Sequence, residues 1–210
     1  MNGYLFVFAV MAVTVTLGSA AVADKPRIVK EAKDTMPIQV GESLPEVSLQ
    51  NSRGDQVAWS SLHQQNPLVL VFFRGGWCPI CTKHTGDLIK IYPQVRELGA
   101  ELVAISPDDS EHSQENVTNN SIPFQILSDS NVKAAKAFGL AFEVDGATLE
   151  KYKGFGIDLE KASGFQHHVL PVPAVFIVDR SGKIVFAHSD PDYRERLDTS
   201  RIISELKKMN

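Results

Sequence analysis

The sequence predicts an α/β domain in which helices flank a mixed central sheet. Residues 68–73 (LVLVFF) form an uninterrupted apolar run, which is typical of a central strand buried on both faces. Beyond it, strand-like and helix-like segments alternate, as they do in α/β folds. The last two strand-like segments, 174–178 and 184–188, flank the turn sequence DRSG and predict an antiparallel hairpin that closes the sheet.

Composition excludes several classes of protein. The 210 residues carry a net charge of -4, with 43% hydrophobic and 22% charged residues, which excludes wholesale disorder, collagen-like repeats and multi-span membrane architecture. Because the chain is mildly acidic and has no Lys/Arg cluster, we predict no nucleic-acid partner. Its 2 cysteines are too few for a multi-bridge scaffold, so a hydrophobic core must hold the fold together.

The first 23 residues carry no charged side chain. An apolar stretch, 4–17, is followed by small residues that end in Ala21-Val22-Ala23, a pattern typical of a secretory signal with its cleavage site. An uncleaved anchor is the alternative, because residues 4–23 approach the roughly 20 residues that a membrane span needs. Both interpretations predict an exported protein, periplasmic or secreted, that contacts a membrane only if the segment is uncleaved.

The remaining chain is predicted to contain a single domain. Residues 24–40 carry many charges and little apolar periodicity, so they are interpreted as a lead-in segment, and residues 41–210 have the length of one domain. This domain begins with a predicted β-hairpin, because two strand-like segments flank a glycine-containing turn at residues 52–55.

The elements after the central strand follow from periodicity. Apolar side chains at i, i+3, i+4 and i+7 from Leu88 predict a helix, which Pro93 is expected to kink. Further segments follow as a strand at 102–105, a helix at 110–119, a strand at 124–127, a helix at 132–138 and a terminal amphipathic helix at 199–207.

Between Gly139 and Pro171 lie roughly thirty residues that this scaffold does not need, and a structureless loop of that length is improbable. Residues 145–153 have helical character. We therefore expect a partly helical insertion before the strand at 174–178.

The cysteines form the motif Cys78-Pro79-Ile80-Cys81 at the predicted start of the first long helix. Positions i and i+3 share a helix face, so the two sulfurs can join. Unpaired N–H groups at a helix N-terminus favour thiolate, and in such motifs the first cysteine has a pKa of roughly 3.5–7.5. Cys78, nearer the helix start and predicted to be more exposed, is the expected nucleophile, and Cys81 the resolving cysteine.

A structural disulfide and a zinc site are weaker interpretations of the motif. A purely structural disulfide across so short a loop would remove little unfolded-state entropy. Half a zinc site would need a second Cys/His pair at zinc-ribbon spacing, and the adjacent His167 and His168 do not supply one. No nucleotide, flavin or haem motif follows any predicted strand, so no cofactor and no metal are predicted.

Three segments carry a resemblance to known proteins: FFRGGWCPIC at 72–81, LVAISP at 102–107 and VPAVFIVD at 172–179. They resemble the thioredoxin superfamily and, more closely, the peroxiredoxin-like branch of the alkyl hydroperoxide reductase/thiol-specific antioxidant family. The resemblance implies a thioredoxin-like sandwich and a thioredoxin-like dithiol as reductant. It also implies that Pro173 is a cis-proline facing the cysteines, which is chemically reasonable because cis is cheap only before proline. The alternative is that Pro173 leaves the end of an edge strand unpaired.

The chain also departs from that family. Typical members carry PxxxTxxC, with a Thr hydroxyl and a distant Arg that hold the peroxide, whereas here Gly75 and Pro173 occupy those two positions. The oxygen that departs from a peroxide becomes negatively charged and needs a donor. Arg74 is the nearest candidate, helped by the Gly75-Gly76 backbone, although a surface ion pair is an equal alternative for Arg74. The supporting residues are therefore predicted to be Arg74, Gly75, Gly76, Trp77, Pro79 and Pro173.

Three functions are compatible with these residues. The first hypothesis is a thiol-dependent peroxidase, a peroxiredoxin-like antioxidant enzyme in which Cys78 and Cys81 form the redox pair and an external dithiol recycles them. The second is a thiol–disulfide oxidoreductase without peroxidase activity. The third is a copper-handling protein, which would need His84, His112 or one of His167 and His168 beside the two sulfurs. His84 could be such a neighbour, but we expect it to be a solvated helix residue, and we expect Trp77 to cover the cysteines by packing.

Overall fold

The computed structural model describes residues 28–209, so the predicted signal or anchor at residues 1–23 lies outside the described residues. The strands are β1 (Ser48–Asn51), β2 (Gln56–Ala58), β3 (Leu68–Phe72), β4 (Glu101–Ser106), β5 (Gln125–Ser128), β6 (Ala141–Glu143), β7 (Val169–Pro171), β8 (Ala174–Val178) and β9 (Ile184–Ser189). The helices are α1 (Trp59–His63), α2 (Pro79–Glu97), α3 (Ser110–Asn120), α4 (Lys133–Ala137), α5 (Gly146–Gly154), α6 (Leu159–Ser163) and α7 (Thr199–Lys208).

Seven strands form one mixed sheet in the order β2-β1-β5-β4-β3-β8-β9. The three central strands β3, β4 and β5 are parallel, and the other pairs are antiparallel. This confirms the predicted mixed sheet, its N-terminal hairpin and its closing hairpin. Helix α2 leaves the carboxyl edge of the central strand β3, the position where α/β folds place functional residues.

Each face of the sheet carries its own hydrophobic core. Every residue of β3 is buried, as expected for a strand covered on both sides. Val69 and Val71 face the core that also contains Leu88 of α2 and Ile202 of α7. Successive side chains of a strand point to opposite faces, so the alternate residues of β3 enter the second core, beside Phe138. Both cysteines lie in the core beneath α2 and α7.

The described part of the lead-in segment packs against the domain. The backbone N–H of Ile38 donates to the Phe138 carbonyl at 3.0 Å, and the Ile38 side chain is buried in the second core. Nearer the start, Val29 forms a bridge to Phe142 of β6. Isolated apolar residues in a charged segment are thus enough to hold the segment to the domain.

The insertion is partly helical, as predicted. It is framed by β6 and β7, which form a separate two-stranded antiparallel sheet, and it contains α5 and α6. We did not predict the short strands, because three residues are too few for a clear period. Apolar residues of the insertion pack against Trp77 in a small cluster, so the insertion contacts the segment that carries the cysteines.

The predicted cis peptide before Pro173 is wrong, because residues 28–209 contain no cis peptide bond. Val172 and Pro173 connect β7 to β8. The Val172 N–H donates to the Leu140 carbonyl at 2.9 Å, and the Pro173 carbonyl accepts from Asp190 N–H at 3.3 Å. The trans form is the one that X–Pro bonds prefer, by about 0.5–1 kcal/mol. Pro173 precedes the first paired residue of β8, but β8 lies between β3 and β9 in the sheet and is not the edge strand that the alternative required.

Two further features concern the helices. Helix α2 continues through Pro93 to Glu97, beyond the position where the proline was expected to disturb it. Among residues 28–209, no helix is both long enough and apolar enough to cross a bilayer.

Candidate active site

The turn between β3 and α2 is built around two glycines. Gly75 has a φ of +139°, and a Cβ there would lie 2.2 Å from Trp77 Nε1, so the position accepts only glycine. The Gly76 N–H donates to Asp108 Oδ2 at 2.7 Å. The conformation of the turn therefore depends on two glycines and on a carboxylate that follows β4.

Cys78 is the N-cap of α2, and Pro79 occupies the first helical position, where its missing N–H costs nothing. The Cys78 N–H donates to the Gly75 carbonyl at 3.2 Å. Cys81 lies one turn further into the helix, and both cysteines are free thiols. The expectation that Cys78 is the more exposed side chain is wrong, because both are 2% exposed. Trp77 packs in the same core cluster, as its predicted covering role requires.

The two sulfurs differ in proton affinity. A hydrogen bond from Cys81 lowers the pKa of Cys78 from 9.0 to about 6, against the opposing effect of burial; the backbone N–H of Cys81 and the charges of Arg74 and Arg196 lower it further. The pKa of Cys81 is raised well above 9.0, because its thiol is the donor to Cys78 and because it is buried. At neutral pH the pair therefore holds one proton, with the negative charge on Cys78.

Arg74 lies beside this thiolate and is itself buried, with 3% of its surface exposed. Its Nη2 donates to the hydroxyl of Tyr152 in the insertion. The guanidinium carbon lies 4.0 Å from the ring centroid of Tyr193 and 5.3 Å from that of Trp77, within cation–π range. Burial excludes the surface ion pair as the role of Arg74. Its Nε is buried without a hydrogen-bond partner within residues 28–209, so donor capacity remains.

A second arginine, Arg196, was not predicted. Its Nη2 donates to Cys81 Sγ at 3.3 Å, although 115 positions separate the two residues. It lies in the charged run Asp192–Asp198, between β9 and α7, and such runs are usually solvated. No local pattern distinguishes Arg196 from its neighbour Arg194, so only the tertiary structure identifies it.

His84 is buried, with 9% of its surface exposed, so the expectation of a solvated histidine is wrong. The His84 side chain faces Arg196 and Leu197, in the segment before α7. Burial lowers the pKa of His84 to about 4, and the charge of Arg196 acts in the same direction. The imidazole is therefore neutral at physiological pH. Pro173 lines the same narrow cavity as His84 and Arg196.

A larger cavity of about 360 Å³ lies beside the glycine turn, lined in part by Gly76, Trp77, Asp108 and Lys161. Asp108 is buried, and burial raises its pKa to about 6 against the hydrogen bond from Gly76. The lining of the cavity comes from the glycine turn, from Asp108, from helix α3 and from the insertion. Neither cysteine lines it.

The copper hypothesis needs a metal-binding group among the described side chains. Within residues 28–209, no group of three or more His, Cys, Asp or Glu is placed to hold a metal ion. The copper hypothesis required a histidine beside both sulfurs, and the described histidines do not meet that requirement.

The fold and this site define a thioredoxin-like oxidoreductase built around a buried cysteine pair. Residues 40–187 match the AhpC/TSA family, and the chain belongs to that family. The resemblance inferred from the sequence motifs is therefore confirmed.

Individual relatives are distant. The chain is 25% identical to peroxiredoxin Bcp of Bacillus subtilis (strain 168) over 150 residues. The aligned stretch covers 71% of this chain and 84% of that protein. The chain is 22% identical over 166 residues to the thiol-disulfide oxidoreductase ResA of Bacillus anthracis, with 79% and 78% covered. The crystal structure of peroxidoxin BcpB from Mycobacterium tuberculosis superposes with a TM-score of 0.64 at 19% identity, covering 82% of this chain and 99% of that one. These relatives confirm the oxidoreductase class and the fold.

Proposed function

We propose that the protein is a thiol-dependent peroxidase, a peroxiredoxin-like antioxidant enzyme that reduces hydroperoxides. The observation that carries this proposal is the placement of Cys78 at the N-terminus of α2, with Cys81 one turn further into the helix. This arrangement lowers the pKa of Cys78 to about 6 and raises that of Cys81, so Cys78 is the thiolate and Cys81 the thiol. A thiolate is the form that attacks peroxides. Family membership and the peroxiredoxin relative support the same reaction.

The first step is attack of the Cys78 thiolate on one oxygen of the hydroperoxide. A sulfur–oxygen bond forms and the oxygen–oxygen bond breaks, so Cys78 is oxidised to sulfenic acid and the departing alkoxide takes a proton to leave as the alcohol. Arg74 supports this step through its positive charge beside Cys78. Its unpartnered Nε and the fixed glycine turn replace the Thr hydroxyl that typical family members use.

The second step closes the redox pair. Cys81 attacks the Cys78 sulfenic sulfur, hydroxide leaves and is protonated to water, and the Cys78–Cys81 disulfide forms. Reduction then requires two electrons from an external dithiol of the thioredoxin-like class, by thiol–disulfide exchange. The proposed supporting set is thus Arg74, Gly75, Gly76, Trp77 and Pro79 around the two cysteines, with Pro173 in the neighbouring cavity.

The test is rapid-mixing kinetics of the reduced protein with hydrogen peroxide and with an organic hydroperoxide. Wild type should consume peroxide far faster than free cysteine. Cys78→Ser should abolish consumption, whereas Cys81→Ser should allow one turnover and accumulate a sulfenic acid that a dimedone-type probe traps. A wild-type rate no greater than that of free cysteine would refute the peroxidase proposal.

A thiol–disulfide oxidoreductase is the second candidate, because Gly75 and Pro173 stand where peroxide-binding residues are typical and ResA is among the relatives. In that reaction the Cys78 thiolate attacks a disulfide of the substrate, and Cys81 resolves the mixed disulfide. Reduction of insulin by the protein, without peroxide consumption, would decide for this candidate.

The proposed compartment is outside the cytosol, either periplasmic or secreted. Residues 1–23 support it, because they combine an apolar stretch with a small-residue ending. Cell fractionation with mass spectrometry of the mature N-terminus tests the proposal. A chain that begins at Asp24 supports cleavage, a chain that retains residue 1 in the membrane fraction supports an anchor, and a cytosolic full-length chain contradicts export.

A further inference from the structure

We propose that Arg196 is a catalytic residue that stabilises the Cys81 thiolate, and that it acts in the two steps in which this sulfur carries negative charge: disulfide formation and disulfide reduction. The proposal rests on the Cys78–Cys81 redox pair of the proposed function. It does not depend on whether the substrate is a hydroperoxide or a disulfide.

The contact itself is direct. Arg196 Nη2 donates to Cys81 Sγ at 3.3 Å, within the range of a hydrogen bond to sulfur. The remaining nitrogens Nε and Nη1 are buried and have no hydrogen-bond partner within residues 28–209. Among the described residues, the Cys81 sulfur is therefore the one hydrogen-bond acceptor that the Arg196 guanidinium contacts.

Within the described part of the chain, the charge of Arg196 also lacks a carboxylate at ion-pair distance. Each ion pair of the described residues joins other side chains, and the neighbouring Arg194 is the one that pairs with Asp192, at 2.7 Å. His84 is neutral at physiological pH because burial lowers its pKa to about 4. Arg196 is half-buried, but its Nε and Nη1 are buried without a partner. A cation partly removed from water without a counterion is unfavourable, so this site favours a negative charge on the sulfur it contacts.

Cys81 is the cysteine that needs such help. Its pKa is raised well above 9.0, which makes it a weak nucleophile as a thiol and a poor leaving group as a thiolate, since leaving groups of lower pKa depart faster. In the resolving step, its sulfur must lose a proton before it attacks Cys78. In the reducing step, the reductant thiolate attacks Cys78, a new sulfur–sulfur bond forms, and the electron pair of the broken bond remains on Cys81 until it is protonated.

Arg74 and Arg196 therefore act in different steps of the catalytic cycle. Arg74 lies against the aromatic rings around Cys78 and acts in the first attack. Arg196 approaches from the segment before α7 and contacts Cys81. Arg196 also has a smaller, long-range effect on Cys78, so its loss should weaken the first attack less than the later steps.

The test measures disulfide exchange without peroxide. The Cys78–Cys81 disulfide is formed with diamide, and its reduction by dithiothreitol is followed by rapid mixing. Arg196→Gln should slow reduction by about tenfold or more, as expected for loss of a hydrogen bond to a charged group. Arg196→Lys keeps the positive charge but loses the planar guanidinium and its several N–H donors. This variant should therefore be reduced faster than Arg196→Gln but more slowly than wild type. Arg194→Gln is the matched control and should stay within about twofold of wild type.

Rates of Arg196→Gln within about twofold of wild type would overturn the proposal, as would equal slowing by Arg194→Gln. If Arg196→Gln does not fold, the comparison of Arg196→Lys with Arg194→Lys decides, because slowing confined to position 196 is required. In a Cys78→Ser background, ultraviolet thiolate absorbance should show that Arg196→Gln raises the pKa of Cys81, whereas a purely structural role leaves it unchanged. A protein inactive towards peroxide but sensitive to Arg196→Gln in these assays would refute the peroxidase proposal and support this one.

Discussion

The guanidinium carbon of Arg74 lies 4.0 Å from the centroid of the Tyr193 ring. The same guanidinium donates to the hydroxyl of Tyr152. Arg74 follows the central strand, Tyr152 belongs to the insertion, and Tyr193 follows the closing hairpin. Three remote parts of the chain therefore meet on one cation beside Cys78, and the insertion contributes directly to the site.

Loss of the Arg74 charge should raise the pKa of Cys78 above its value of about 6. In Arg74→Gln, the pH profile of iodoacetamide alkylation should shift upward, and the rate at pH 6 should fall about two- to fivefold. The control is Arg53→Gln, since Arg53 is exposed and pairs with Asp55 in the N-terminal hairpin. An unchanged profile in Arg74→Gln would show that Arg74 does not support the thiolate.

Substitution of the two glycines in this region should change stability in opposite directions. Gly75→Ala should destabilise by about 2 kcal/mol or more, because φ is +139° and the added Cβ would meet Trp77 Nε1. Gly86, in the middle of α2, has nothing within 4 Å of an added Cβ. Gly86→Ala should therefore stabilise by up to about 1 kcal/mol, through helix propensity. Urea unfolding measures both values, and similar effects at the two positions would contradict the assigned turn geometry.

Because of the Asp108 carboxyl group, the free energy of unfolding should decrease as the pH rises. Burial raises its pKa from 3.8 to about 6, so the folded carboxyl stays protonated while the unfolded one ionises. The stabilisation is complete below pH 3.8 and is lost as pH rises through 6, a change of about 3 kcal/mol. Relative to Asp108→Asn, wild type should lose about 2 kcal/mol of this stability between pH 4 and pH 7.

The control for this titration is Asp192→Asn. Asp192 is partly exposed, and hydrogen bonds from Arg194 lower its pKa to about 2, so its contribution changes below the pH window of the test. Urea unfolding at several pH values should show no difference in slope between Asp192→Asn and wild type above pH 4. A difference between wild type and Asp108→Asn that is independent of pH would contradict the raised pKa.

The second core depends on Phe138. Its side chain is 0% exposed, and its ring packs 4.8 Å from that of Phe72 and 5.0 Å from that of Phe176, measured between centroids. Phe138→Ala should destabilise by about 3–5 kcal/mol. Phe155→Ala removes a side chain that is 80% exposed and should change stability by less than about 0.5 kcal/mol. Thermal or urea unfolding distinguishes them, and equal effects would contradict the core assignment.

Several features could be predicted because they depend on short stretches of chain. The strand β3 follows from consecutive apolar residues, both hairpins from turn sequences, and the position of Cys78 at a helix start from the break that follows the strand. The helix within the insertion was also predictable from its local pattern. Each of these features is governed by backbone sterics and periodicity, which neighbours in sequence determine.

Other features could not be predicted because they depend on contacts between distant segments. His84 looked like a solvated helix residue, and only the packing of α2 beneath the segment before α7 makes it buried and neutral. Pro173 was expected to be cis from the resemblance, whereas its peptide bond is trans in the folded chain.

Amino-acid order alone was sufficient to establish the α/β class, the cysteine pair and the family. The tertiary structure alone decided which charges act on the two sulfurs. The sequence made Arg74 a candidate but left a surface ion pair as an equal alternative, and it gave no sign of Arg196. In the folded chain the charge of Arg74 acts on Cys78, and Arg196 contacts Cys81. The physical reason is that the protonation of a buried sulfur depends on burial and on charges a few ångströms away in space, and folding determines both.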